Sequence, residues 1–449
     1  MTKICLSMII TDEDHIIDDC LKKIRPYVDA IAIDFNGKGT TTPSIIKKFC
    51  TQHKIPLNLR EKKWVDDFGH SRSEALQCAE ELITSLLVTG NNTGLKDGAE
   101  VKNGVMSITS NGVEIQSREN NKSLFTSFAG IREIKSKVDG PLTEKEWQQY
   151  NSLTKDSEPW YIMFHDADNT IECINFDKVK LDLKNDLVEV DMSSGGSIYN
   201  YRWMVKFDPS GKNRWKWFLP LHEYVDADGA WNYSRHKTTG VIVISGRTGL
   251  RSQQNQVDKY LKDAVVLRKY RNKPENAHNR RALFYEANSW HDAREYDMAL
   301  KLYMENGKYE DNVVEERYIS LYRAGILLKQ LRENSGWLAM EYFYRAHQIR
   351  PQRLEALYEI VLFHRKMKTY RVGWDLAKPH LGNVSTSEVL WTTQDIYQWR
   401  FYEQAAICGF HCGEKLEAQK LFKKALESTL LQGGDRTRIE ESLNPLHYS

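Results

Sequence analysis

The residues best equipped for chemistry are Asp166 and Asp168, one residue apart in the run His165-Asp166-Ala167-Asp168. They follow Trp160-Tyr161-Ile162-Met163-Phe164, a short apolar run that reads as a buried strand. Two carboxylates at the end of such a strand can share a divalent cation. Oxygen ligands suit Mg²⁺ or Mn²⁺, which leave positions open for phosphate oxygens. Asp-x-Asp alone is commonly a solvated turn; its place after a buried strand gives it weight. A second constellation is Arg214-Trp215-Lys216-Trp217-Phe218-Leu219-Pro220-Leu221-His222-Glu223-Tyr224, in which His222 offers an imidazole beside the Glu223 carboxylate. A third is Trp64-Val65-Asp66-Asp67-Phe68-Gly69-His70-Ser71-Arg72-Ser73. Here Asp66 or Asp67 precedes a helix whose first turn carries Arg72. A carboxylate at that point either accepts bonds from a base or ribose or caps the helix, as Asp67 or Ser71 can.

These residues need elements to position them. Ile4–Ile10 reads as a buried strand, and Ile16, Ile17, Cys20, Leu21 and Ile24 fall at helical spacing before Pro26. Ala30–Phe35 reads as a second strand, followed by a turn at Gly37-Lys38-Gly39-Thr40. A helix begins near Ile45, a third strand lies at Pro56–Leu59, and a helix runs from Ser71 to Leu87. Strand and helix in alternation predict an α/β domain with parallel strands, whose ligands bind at the carboxyl ends. Further strands are expected at Leu187–Val190, Asn200–Phe207 and Val241–Ser245.

From about residue 89 to 156 the composition turns to Asn, Gly, Ser and Lys. Val105–Ile108 and Val113–Gln116, with Asn103-Gly104 and Asn111-Gly112 as turns, predict an inserted hairpin. After about Ser252 the period is helical. Ala287, Ala299 and Tyr303 repeat a pattern also seen in Ala406, Ala418, Phe422 and Ala425. Ala339, Phe343, Ala346 and Pro351 supply its second half. Small residues let paired helices approach and the aromatic fills between pairs, the logic of tetratricopeptide-type repeats. An unrelated helical bundle is the other reading. The expected division is residues 1–250, with the insert, and residues 251–449.

The chain has 449 residues, a length that predicts two to four domains. Its 63 Lys and Arg against 61 Asp and Glu leave a net charge of +2, which argues against a polyanion-coating protein. A hydrophobic fraction of 41%, with 12 Trp, excludes intrinsic disorder. The 7 cysteines form no Cys-x-x-Cys pair, so reduced thiols and a cytoplasmic location are expected, without zinc. The apolar opening run is short and followed by Asp12-Glu13-Asp14, which predicts neither a membrane span nor a signal peptide.

Taken together, the motifs resemble family 2 glycosyltransferases of the GT-A fold, in particular a subgroup with a C-terminal tetratricopeptide-like domain. The resemblance rests on Leu6–Ile10 through Leu21, on Ile33-Asp34 with its turn, and on Trp64, Asp67, Phe68 and Arg72. It continues through Asp166-Ala167-Asp168, Trp215–Tyr224, Arg251-Ser252, Lys259-Tyr260 with Asp263, and Arg281 with Phe284 and Tyr285. The insert lies outside it. The turn Asn36-Gly37-Lys38-Gly39 and Ser73 depart from the usual pattern.

The resemblance implies a metal-dependent inverting transfer of a hexosyl or similar group from a nucleotide-sugar donor, a UDP-sugar by preference. Asp34, Asp67 and Arg72 would then lie on the nucleotide, with Asp166 near ribose and metal. Asp168 and His222 would hold Mn²⁺ or Mg²⁺. Arg251 would reach the diphosphate or sit in a surface ion pair. An inverting transfer needs a general base; Glu223, next to the implied metal ligand, is the first candidate and Asp191 the second. The acceptor would be a saccharide or a peptide, with a modified nucleobase also conceivable. The helical domain would bind extended partners or pair subunits into a homo-oligomer. Two other readings compete: a repeat-based binding protein with an inactive transferase half, and a nucleotidyltransferase, which also uses paired carboxylates.

Overall fold

Strand β1, Lys3–Ile10, is buried along most of its length, as befits a strand covered on both faces. The structure is a computed structural model. It describes residues 2–90, 99–102, 105–110, 113–115, 124–125, 134–135, 158–194, 197–246, 248–249, 251, 254–332, 336–382 and 392–443. The chain divides into two units: Met1–Leu219 with Glu223–Gln253, and Pro220–His222 with Gln254–Ser449.

In the first unit β1 leads to helix α1 (Ile17–Ile24), whose Ile17, Cys20, Leu21 and Ile24 are buried and which gives way to a 3₁₀ turn at Pro26. Strand β2 (Ala30–Phe35), helix α2 (Thr41–His53), strand β3 (Leu57–Glu61) and helix α3 (Phe68–Gly90) follow. Within the inserted region lie β4 (Ala99–Lys102), β5 (Val105–Ser110), β6 (Val113–Ile115), β7 (Leu124–Phe125) and β8 (Ile134–Lys135). The predicted hairpin is present as the antiparallel pair β5–β6, with Ile108 opposite Ile115. Its two Asn-Gly turns and Gln116 lie outside the described residues.

The main sheet resumes at β9 (Trp160–Phe164) and β10 (Asn169–Cys173), then helix α4 (Phe176–Asp182), β11 (Leu187–Ser194) and β12 (Ser197–Lys206). A hairpin of β13 (Trp215–Phe218) and β14 (Tyr224–Ala227) stands apart as its own sheet, and β15 (Arg235–Ser245) completes the main one. The main sheet has 8 strands in the order β10-β15-β11-β12-β9-β1-β2-β3. β1 pairs in parallel with β2 and with β9, and β2 with β3. Antiparallel pairing then enters at β9–β12, β12–β11 and β15–β10. The sheet is therefore mixed, where strand–helix alternation alone predicts parallel strands.

One face packs against α1, α2 and α4 through Ile17, Leu21, Ile46, Phe49 and Val179. The other packs against α3 and the β13–β14 hairpin through Leu76, Ala79, Ile83, Trp215 and Trp217. Alternation assigns side chains to these faces. Ala30 and Ala32 belong to the α3 face, so Asp34 points the same way. Ile162 and Phe164 do likewise, while Val190 and Met192 face the opposite core, which turns Asp191 toward the α3 face.

The second unit is helical, from Gln256–Arg271 to Gly433–Ser442, with consecutive helices packed on one another. Ala287, Ala299, Tyr303, Ala339, Phe343, Ala346, Ala406, Ala418, Phe422 and Ala425 are all buried. The pattern read from the sequence thus marks helix contacts, and the ring of Phe343 lies where a side chain at Gly325 would go. A buried ion pair, Arg353 with Glu355 at 2.9 Å, sits beneath Tyr318.

Candidate functional site

The carboxyl ends of β1, β2 and β9 and the first turn of α3 form the edge where the chemistry-bearing residues of the first unit gather. Asp34 is the next-to-last residue of β2 and is 1% exposed. Burial raises its pKa, and the Asn36 hydrogen bond and the charges of Lys62, Arg60 and His70 only partly offset this. Asn36 sits two residues on, its Nδ2 3.4 Å from both Asp34 Oδ2 and the Lys62 carbonyl oxygen. The remaining oxygens, Asp34 Oδ1 and Asn36 Oδ1, are buried and accept no hydrogen bond among the described residues. A buried acceptor without a donor is costly, and its presence at a strand end marks a place where a ligand can supply one.

Asp67 accepts the His70 N–H at 2.8 Å and so caps α3, the alternative its sequence position allowed. Gly69 in the first turn is required by close approach: a Cβ there would lie 2.2 Å from the Leu219 carbonyl oxygen. Ser73 ties the same helix to β13, accepting the Trp217 N–H at 3.1 Å. Helix and hairpin are thereby fixed to each other, and Arg72 is held between them.

Arg72 is the hub. Its Nε donates to Glu223 Oε1 at 2.8 Å and its Nη2 to Asp166 Oδ1 at 2.7 Å. Its guanidinium lies 5.0 Å from the Trp217 ring centre. Burial alone would lower the Arg72 pKa, but the Asp166 and Glu223 carboxylates outweigh it and hold it raised. The fork geometry of arginine suits two carboxylates at once. Sequence reading placed Arg72 on the nucleotide; the structure shows it organising the carboxylates.

Asp168 Oδ2 accepts the backbone N–H groups of Thr248 and Gly249, each at 3.1 Å. The loop after β15 comes so close that a Cβ on Gly246 would meet the Asp168 carbonyl oxygen at 2.0 Å. His165, buried just before the pair, bonds the Asn169 carbonyl oxygen through Nε2 at 3.2 Å and so closes the turn that carries both aspartates. Burial lowers the His165 pKa despite Asp166, keeping the ring neutral at physiological pH. Asp12 binds the Lys38 and Gly39 amides and pins the loop beyond Asn36. Neither His165 nor Asp12 was singled out from the sequence.

Asp166 and Asp168 share one turn, and His222 stacks on Tyr285 with ring centres 3.9 Å apart. Among the described residues no group of three or more His, Cys, Asp or Glu could by itself hold a metal ion. Arg72 and the loop amides each engage one oxygen of their carboxylate, so the second oxygens of Asp166 and Asp168 stand outside these bonds. That donor set fits Mg²⁺, which takes one or two carboxylates and completes its shell with water and substrate phosphate. Of the base candidates, Glu223 is committed to Arg72, while Asp191 forms a surface pair with Lys237 at 2.6 Å. Arg251 lies over Phe68, 4.9 Å from the ring centre.

No family model matches the chain, and no curated protein matches it. Among solved structures, MamA is 17% identical with a TM-score of 0.29, covering 40% of this chain and 94% of that one. TTC0263, a tetratricopeptide-repeat protein of Thermus thermophilus, is 16% identical with a TM-score of 0.28, covering 42% of this chain and 92% of that one. These findings overturn the resemblance to family 2 glycosyltransferases as a statement of kinship. The physical reason is that its motifs are short and several of their residues meet local demands of folding. Asp67 caps a helix, Trp215 and Trp217 fill a core, and His222 stacks on Tyr285. Among the described residues no helix is long and apolar enough to cross a membrane.

Proposed function

We propose that the first unit is a nucleotide-sugar domain of GT-A type that performs a metal-dependent, inverting glycosyl transfer. The observation that carries this reading is the paired carboxylate turn, Asp166 and Asp168, at the carboxyl end of β9 beside β1 and β2, with the buried acceptors of Asp34 and Asn36 at the end of β2. A crevice at the carboxyl ends of parallel strands is where open α/β sheets bind ligands.

Asp34 and Asn36 bind the nucleoside, and Asp166 and Asp168 hold the divalent ion. When bound, that ion neutralises charge on the departing nucleoside diphosphate. Arg72 keeps Asp166 oriented, and Glu223 in turn orients Arg72. Asp191 is the general base: it lies near the carboxyl end of β11, and its surface pair with Lys237 is weakly held. It takes the acceptor hydroxyl proton as the acceptor oxygen attacks the anomeric carbon.

Calorimetric titration with nucleotide sugars, with and without Mn²⁺, tests this reading. Asp168→Asn keeps an oxygen for the loop amides and weakens metal-dependent donor binding about tenfold or more. Metal-dependent binding equal to wild type would remove Asp168 from the site. Release of pyrophosphate in place of nucleoside diphosphate would identify a nucleotidyltransferase.

A further inference from the structure

The two unpartnered oxygens beneath the nucleoside position carry information about which base fits. Asn36 Nδ2 stands between two acceptors, Asp34 Oδ2 and the Lys62 carbonyl oxygen, 3.4 Å from each. The reverse orientation of the amide would set oxygen against oxygen twice, so its carbonyl oxygen is the outward group. Asp34 Oδ1 and Asn36 Oδ1 are therefore both acceptors, both buried, and both without a donor among the described residues. Asp34 and Asn36 are 1% and 7% exposed, and the Asn36 Nδ2 bond to Asp34 Oδ2 sets the two side chains together. The group that completes this pair must offer two neighbouring donors. A base edge with two adjacent N–H donors meets that requirement; a ribose diol is the other group that offers two, and the titration below separates them.

The four common bases differ at this edge. Uracil offers one N–H flanked by two carbonyl oxygens. Cytosine and adenine each set an amine beside an acceptor nitrogen. Guanine sets N1–H beside its 2-amino group, two donors side by side. We propose that the base selected by this site is guanine, with N1–H donating to Asp34 Oδ1 and the 2-amino group to Asn36 Oδ1. This rests on the nucleotide-donor reading above, and it departs from the UDP-sugar that the sequence motifs imply.

The test is isothermal titration of the full-length protein with GDP, IDP, UDP, CDP and ADP in Mg²⁺, with 2′-deoxy-GDP as a control. GDP is expected to bind about tenfold or more tighter than UDP, because a wrong base leaves buried acceptors unpaired. IDP, which lacks only the 2-amino group, is expected to fall behind GDP by a similar factor. Asn36→Ala should erase the difference between GDP and IDP; the wild-type ratio of GDP to IDP stands even if that variant misfolds. UDP binding as tight as GDP, or GDP equal to IDP, overturns the assignment. Equal binding of all bases, with loss only for 2′-deoxy-GDP, places the acceptors on ribose and also overturns it. Binding of none of the five defeats the nucleotide reading itself.

Discussion

Arg72 donates to Asp166 and to Glu223 from one guanidinium, and a lysine cannot reach both with the same geometry. Arg72→Met should cost about 3 kcal/mol of stability, since two part-buried carboxylates lose their shared counter-charge. Arg72→Lys should recover part of this, with urea midpoints giving the order. The division of labour between the carboxylates has its own signature. Asp191→Asn should lower turnover about 10²-fold with donor affinity preserved. Glu223→Gln should lower it less than about tenfold, because the amide oxygen still accepts from Arg72. Single-turnover transfer measures both, and the opposite ranking would return the base role to Glu223. The paired aspartates were legible in the sequence because apolar strand and acidic turn are adjacent. The Arg72 hub was not, because its partners lie 94 and 151 positions away. Asp12 escaped for the same reason: its bonds go to amides 26 and 27 residues on.

Sequence reading placed the continuous apolar strands β1, β2 and β9, where periodicity has nothing to compete with, and also located parts of β3, β5, β6, β11, β12 and β15. It missed β10, whose Asn-Thr-Ile-Glu-Cys mixes polar and apolar residues at a sheet edge. It also took the Trp-rich stretch as a chemical motif and not as a hairpin. Trp215 and Trp217 alternate with exposed Lys216, which is the period-two signature of a half-buried strand. Elements also frame the inserted segment, which leaves the chain after α3 and rejoins it before β9. α3 begins with Asp67 and Arg72 at the site, and β9 ends there. Replacing residues 90–155 with a short Gly/Ser linker should therefore spare both donor hydrolysis and transfer to the acceptor, because the segment is rooted at the end of α3 and the start of β9, away from the site. Product analysis separates the two activities. Loss of donor hydrolysis would make the segment part of the core.

At the scale of the whole molecule, stability carries a pH dependence set in the helical unit. His347 is half-buried beside His380, and burial first, then the His380 charge, pushes its pKa down to about 4. A folded value below the ordinary imidazole value means that the unfolded chain binds the proton more tightly. Its contribution is intact above about pH 6.5 and is lost as pH falls toward 4. Melting temperature should drop by a few degrees over that window, and His347→Phe should flatten part of the drop; an unchanged profile in the variant would assign the effect elsewhere. The order of strands across the sheet has a different consequence, one of timing. β1 lies between β2 and β9, so one of its two neighbours is Trp160–Phe164, about 155 positions downstream. During synthesis the first three strands and helices are made long before that neighbour leaves the ribosome. Until then β1 presents a bare parallel edge, a template for pairing with other chains. Closing the gap demands a long-range contact of the kind that slows folding. The same arrangement that brings Asp166 beside β1 thus makes the nascent chain depend on protection, and expression yield should rise at lower temperature or with added chaperone.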